Sequence, residues 1–153
     1  MIVNNISLLV GGEAGAGISR SGFLFAKTCL RGGLYAFGAN DYQSLIRGGH
    51  NFYTVKACDK EVYAQADTVD LLIALNKETI LFHKDELVKG GGVIFDQDQI
   101  TVTKQELERD DIKLYHVPLR NIVKEMQGPQ IMENTVALGA ANALLDYDIE
   151  LLN

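Results

Sequence analysis

The chain predicts an α/β fold, a three-layer α/β/α domain with a mainly parallel, partly mixed sheet and a glycine-rich loop after its first strand. Three observations lead there. A mostly apolar run, Ile6–Val10, passes through a glycine cluster into a helix-period pattern that begins at Ile18. Short apolar runs then alternate with helix-like segments to the end of the chain. Gly32-Gly33, Gly48-Gly49 and Gly90-Gly91-Gly92 punctuate the changes of pattern. With 153 residues, one domain with a substantial core is expected.

Each element follows from its residues. Ile6–Val10 reads as a strand, and Gly11, Gly12, Gly15 and Gly17 as the loop after it. A helix over 18–31 places Ile18, Leu24, Phe25, Ala26, Cys29 and Leu30 at helical spacing, with Gly32-Gly33 as a left-handed cap. Leu34–Gly38 reads as the second strand of a strand–helix–strand unit. Residues 39–50 have no clean period and predict an irregular functional loop. From Asn51 to Ala57 polar and apolar positions alternate, which predicts an antiparallel or edge strand.

Val69–Leu75 is the clearest central strand. Asn76 precedes a helix predicted from Lys77 to Lys89, with Ile80, Leu81, Leu87 and Val88 as its apolar positions, broken by Gly90-Gly91-Gly92. Strands over 93–96 and 112–117 follow. A helix over 119–126 ends at Gly128-Pro129, and a last helix spans about Ile131 to Leu145. Residues 148–153 read as the start of another helix, either the true end or the cut edge of a longer protein, and the expectation is one domain over 1–153. There is no internal repeat or low-complexity tract.

Composition excludes several classes. The chain is 47% hydrophobic and 22% charged, as in soluble globular domains. No apolar run approaches the ~20 residues of a membrane helix, and MIVNNIS lacks a secretion signal, so a cytoplasmic protein away from the membrane is expected. Cys29 and Cys58 are too few and too far apart for a zinc or iron–sulfur site. A net charge of −6 argues against nucleic-acid binding. That charge is uneven. Residues 1–60 carry six basic and three acidic side chains, and residues 61–153 carry eight and seventeen. The locally basic part holds the glycine loop, which suits a small anionic ligand.

Strand, glycine turn and helix together bring backbone N–H groups and a positive helix end to a phosphate. The alternative is a tight turn that binds nothing. A P-loop is excluded because Ile18 stands where its lysine belongs. A dinucleotide fingerprint starts at Gly15-Ala16-Gly17, but Arg20 takes the third glycine's place. A second candidate is Arg47-Gly48-Gly49-His50, with a guanidinium fork for an anion and an imidazole that titrates near neutrality. Asp41, Tyr42 and Ser44 sit in the same stretch. The alternative there is a plain link into the strand.

His83, beside Lys84 and Asp85, reads as a surface residue, and His116 as a hydrogen-bonded structural one. The three scattered histidines give no metal spacing. Asp96 and Asp98 follow a strand, and site chemistry or turn chemistry explains them equally. With no nucleophile elbow or nucleophile–base pair, the chain reads as a binding domain rather than a complete catalyst.

GGEAGAG, LRGGLYAFG, DYQSLIRGGHNFYTV, VDLLIALNKETILFHKDEL, GGGVIFD and MENTVALGAANALL, in that order over almost the whole chain, resemble the gamma domain of 2-oxoacid:ferredoxin oxidoreductases. The form is similar to the N-terminal region of a fused gamma–alpha subunit, and ending at Asn153 then reads as a fragment. Indolepyruvate oxidoreductases contain a related domain. The resemblance implies a pyruvate- or 2-oxoglutarate-type complex that oxidatively decarboxylates a 2-oxoacid to acyl-CoA and passes electrons to ferredoxin. Thiamine diphosphate and Mg are implied in the alpha and beta regions and iron–sulfur clusters in partner regions, with delta a further partner in some complexes, and none of these in this chain. This domain's implied share is assembly and a part of the coenzyme A site, with Gly11, Gly12, Gly15, Gly17, Arg20, Arg47, Gly48, Gly49 and His50 as candidate residues. The alternatives are a non-catalytic assembly module and, as an outsider, an independent nucleotide-binding protein.

Overall fold

A nine-residue strand, β1 (Asn5–Glu13), runs through the middle of the sheet with residues 6–12 buried. The computed structural model describes residues 5–42 and 49–146, without the side chain of Tyr42. Ser44, Arg47, Gly48 and the expected helix over 148–153 lie outside the described residues.

Helix α1 (Ile18–Arg31) follows β1 and buries Ile18, Gly22, Phe25 and Cys29, one stripe at helical spacing. Its buried Ser21 and Thr28 turn their hydroxyls back onto the carbonyls of Gly17 and Leu24, so no polar group is stranded. At the far end the N–H groups of Gly33 and Leu34 donate to the carbonyls of Leu30 and Cys29, a Schellman closure. A methyl on Gly22 would run into the Tyr53 ring. Gly22 therefore provides the close helix–strand approach that a dinucleotide fingerprint places at its third glycine.

Strand β2 (Tyr35–Tyr42) pairs antiparallel with β3 (His50–Cys58), and β3 pairs antiparallel with β1. Residues 39–42 thus extend a strand instead of opening an irregular loop. The alternation in β3 is borne out, with Tyr53, Val55 and Ala57 buried. It is antiparallel, as expected, but lies inside the sheet. The other arm is parallel: β4 (Val69–Ala74), β5 (Leu87–Phe95) and β6 (Lys113–His116). The full order is β2-β3-β1-β4-β5-β6, the mainly parallel, partly mixed sheet that the pattern predicts.

The helix over 77–89 needs correction. Helix α2 (Lys77–His83) stops early, residues 84–86 form a 3-10 turn, and Leu87 already belongs to β5. Gly90, Gly91 and Gly92 are strand residues in a bulge, where β4 advances from Val69 to Leu71 while β5 advances from Leu87 to Gly92. Pairing of Leu87 with Val69 outweighs the helical spacing of two apolar residues.

Helix α3 (Lys104–Leu107), absent from the sequence reading, is started by a capping box between Thr103 and Glu106. Helix α4 (Leu119–Glu125) is as expected, and α5 (Glu133–Leu144) begins after a 3-10 turn over 130–132. Side chains alternate across the sheet. Ile6, Leu8, Val10, Leu71 and Ile73 pack with residues of α1 and α5 and with Leu119 of α4. Leu9, Leu72 and Ala74 pack with Ile80 of α2 and Leu107 of α3 on the opposite face. The result is three layers.

Candidate functional site

From β1 the chain crosses to β2 on one side of the sheet, and from β4 it crosses to β5 on the other. β1 and β4 are parallel neighbours, so the crevice outside their C-terminal ends is a topological switch point. Open α/β sheets bind ligands there. The Leu75 N–H donates to the Gly11 carbonyl at 3.0 Å, closing the two strand ends together.

The loop in that crevice is shorter than the sequence reading has it. Gly11 and Gly12 pair with Phe52 and Asn51 inside the sheet, leaving residues 14–17 as the turn. A methyl on Gly11 would lie 2.6 Å from Thr79 Cγ2 and 3.1 Å from His50 Cε1. Gly11 makes room for neighbours rather than for a ligand. Gly15 and Gly17 have φ of +91° and +76°, which favours glycine at both. The Ala14 N–H donates to Gly49 O at 3.3 Å and the Ala16 N–H to Glu13 O at 3.1 Å. Asn134 Nδ2, from α5, donates to Ala16 O at 2.9 Å.

Two clefts open beside this turn. The first, about 410 Å³, is lined by Glu13, Gly15, Asn76, Gln130, Glu133 and Asn134 among others. Its charged lining is acidic, with Arg120 3.5 Å from Glu133 as a nearby cation. The second, about 320 Å³, is lined by Gly15, Gly17, Ser19, Arg20, Asn40 and Asn51 among others. Here α1 begins at Gly17 with no side-chain cap and no acidic residue in its first turn. The opening N–H groups of a helix have no intrahelical acceptor and carry its positive end. Arg20 adds a full charge on the same side. The turn therefore separates an acidic, amide-lined cleft from a positive one.

Of the residues that the sequence singles out, Gly15, Gly17 and Arg20 line one cleft. It assigned no site role to Asn76, Gln130, Glu133 or Asn134. Asn134 was legible only as part of ENTVALGA, and its reach to Ala16 spans most of the chain. Of the second motif, the described residues are Gly49, which anchors Ala14, and His50. His50 is buried and does not line either cleft.

One histidine departs from expectation. His83 is buried, not on the surface, and its Nε2 lies 2.8 Å from His50 Nε2. His116 is hydrogen-bonded, its Nδ1 accepting from the Gln97 N–H at 3.0 Å, but it is exposed. Asp96 is buried and accepts from the Arg120 N–H, the Gln99 amide and the Asp98 N–H. It joins the β5 turn to the start of α4. Burial pushes its carboxyl up, and these hydrogen bonds with nearby His116 outweigh that and hold it below its ordinary value. Among the described residues no three His, Cys, Asp or Glu side chains are grouped to hold a metal ion, and no helix is long and apolar enough to cross a membrane.

The topology defines an α/β domain with a crevice at a topological switch point. Residues 7–153 match the family described as pyruvate ferredoxin/flavodoxin oxidoreductase, and the chain belongs to that family, as a gamma-type domain of a 2-oxoacid:ferredoxin oxidoreductase complex. It is 28% identical over 144 residues to the 2-oxoglutarate synthase subunit KorC of Methanothermobacter thermautotrophicus, covering 92% of this chain and 76% of that protein. Among solved structures, the keto/oxoacid ferredoxin oxidoreductase gamma subunit of Geobacter sulfurreducens superposes with a TM-score of 0.80 at 25% identity, covering 96% of this chain and 82% of that one. The 2-oxoglutarate:ferredoxin oxidoreductase of Magnetococcus marinus, solved with 2-oxoglutarate, coenzyme A and succinyl-CoA bound, gives a TM-score of 0.85 at 30% identity. That match covers 98% of this chain but only 26% of the other.

Proposed function

We propose that this gamma-type domain holds phosphates of coenzyme A at the turn over residues 14–17, within a complex whose alpha and beta regions, with delta where present, carry out oxidative decarboxylation. The observation that carries the reading is the uncapped start of α1 opening into the cleft that holds Arg20. A phosphate there accepts from backbone N–H groups and pairs with the guanidinium. The bound coenzyme A in the Magnetococcus marinus enzyme supports the choice of ligand. Arg47, Gly48 and Gly49 are proposed to contribute from the neighbouring segment. Gly11, Gly12 and His50 act behind the surface. Thiamine diphosphate, Mg and iron–sulfur clusters belong, on this reading, to the partner regions, and ferredoxin is met through the complex.

The test is coenzyme A affinity of the assembled oxidoreductase. Arg20→Ala should weaken it by about tenfold, the scale of one exposed charge-assisted hydrogen bond. Gly15→Asp, which brings a carboxylate to the turn, should weaken it further. Unchanged affinity in both variants would refute the reading.

A structural contribution runs alongside. Phe23 and Leu30, one α1 face seven residues apart, are 60% and 54% exposed. Such a stripe fits a helix that docks against another subunit. If Phe23→Ser with Leu30→Ser leaves co-purification with the alpha and beta partners intact, this face is not the docking surface.

A further inference from the structure

Away from both clefts, three side chains form a line between β3 and α2. His50 and His83 are 5% and 4% exposed. Their Nε2 atoms are 2.8 Å apart, and His83 Nδ1 is 2.8 Å from Glu86 Oε1. The carboxylate end sets the direction of the chain. An ionised carboxylate only accepts, so His83 Nδ1 carries a proton and donates to Glu86. In the neutral pair His83 Nε2 is then a lone pair, and His50 Nε2–H donates to it. This leaves His50 Nδ1 as a bare lone pair. Nδ1 is buried without a hydrogen-bond partner, a condition shared among the described residues only by the Asn142 amide.

A further proton has two resting places with one outcome. If His50 takes it, Nδ1 becomes an N–H. If His83 becomes the imidazolium, its Nε2–H must donate to His50 Nε2, and the His50 proton moves to Nδ1. Either way a buried N–H appears at His50 Nδ1 with no acceptor among the described residues, which is costly. Among the described residues nothing stands ready to accept from it. Phe52 stacks on the His50 ring at 5.8 Å between centroids, and Phe82 meets it edge-on at 5.2 Å. Burial first, then His83, pushes the His50 imidazole below its ordinary value, against the opposing pull of Glu78 on α2, Asp41 on β2 and Glu86.

His50 also holds the turn. Its backbone pairs with Glu13, and the preceding residue, Gly49, accepts from Ala14. We propose that Glu86, His83 and His50 form a one-proton latch: while the pair is neutral the head of β3 holds the turn over residues 14–17, and a further proton from solvent, forced onto His50 Nδ1, releases it. His83 and Glu86 are positioning residues that act through His50. The latch does not depend on which ligand the turn holds.

The experiment is hydrogen exchange by mass spectrometry on the assembled oxidoreductase, following peptides that cover residues 11–20 from roughly pH 8 to pH 5. Rates are corrected for intrinsic exchange. Protection of the turn should be lost as pH falls below about 6.5. Glu86→Gln keeps an acceptor for His83 but removes the charge that raises the His50 pKa. The loss should then move to lower pH. His50→Gln should abolish the acid loss. No loss in the parent enzyme, or a loss at the same pH in Glu86→Gln, overturns the latch. Because the Glu86 side chain is 43% exposed, that variant decides the matter even if His50→Gln fails to assemble.

Discussion

Asn134 on α5 donates through Nδ2 to the carbonyl of Ala16, 2.9 Å away and 118 residues earlier in the chain. This one bond fixes the last helix against the turn at the switch point. Replacing Asn134 by Ala removes the donor and costs about 1 kcal/mol. Amide exchange in the turn should quicken about fivefold on that scale, with little change in the sheet. Unaltered exchange would show that the bond does not restrain the turn.

The two left-handed glycines of the turn are not equivalent. Either, changed to Ala, incurs about 1–2 kcal/mol for its backbone conformation. A methyl on Gly15 meets nothing within 4 Å, whereas one on Gly17 runs into the Asn134 amide. Gly17→Ala should therefore lower the denaturant midpoint more than Gly15→Ala. Equal losses would mean that the Asn134 side chain moves aside freely.

Phe25 is fully buried at the contact of α1 with the sheet. Phe25→Ala should destabilise by about 3–5 kcal/mol, through lost transfer energy and a cavity. Denaturant unfolding measures this directly. A loss under about 1 kcal/mol would imply that α1 collapses into the space.

Acid stability should depend on Asp96. Its carboxyl is held below the ordinary value of 3.8, so the unfolded chain takes up a proton first as pH falls. The resulting stabilisation is complete above that ordinary value and is lost as pH falls through the folded-state value. Asp96→Asn removes this contribution, so the parent's denaturant midpoint should fall more steeply than the variant's below about pH 4. Parallel profiles would assign the acid sensitivity to other groups.

Much of this architecture was legible because local patterns and tertiary packing agree. The α1 stripe of Ile18, Phe25 and Cys29 has one period, and Gly32-Gly33 marks its end. Leu71–Ala74 is apolar on both faces because helices cover both. Disagreement arose at residues 87–92. Leu87 and Val88 fit a helix, yet strand pairing claims them, and Arg109 Nη1 secures the change by donating to the carbonyls of Lys84 and Leu87 at 2.8 Å each. No local signal in 77–89 announces a guanidinium twenty residues later.

The site divides in the same way. Sequence alone determined that strand, glycine turn and helix stand together, that Arg20 lies in the helix's first turn, and that the basic side chains concentrate in that part of the chain. Those are properties of neighbours in sequence, set by backbone sterics and helical period. Only the tertiary structure decided that Gly11 and Gly12 lie in the sheet, that carboxylates line one side of the turn and Arg20 the other, and that His50 meets His83 in the core. These depend on strand order and on which faces are buried, and neither is written in any single stretch of residues.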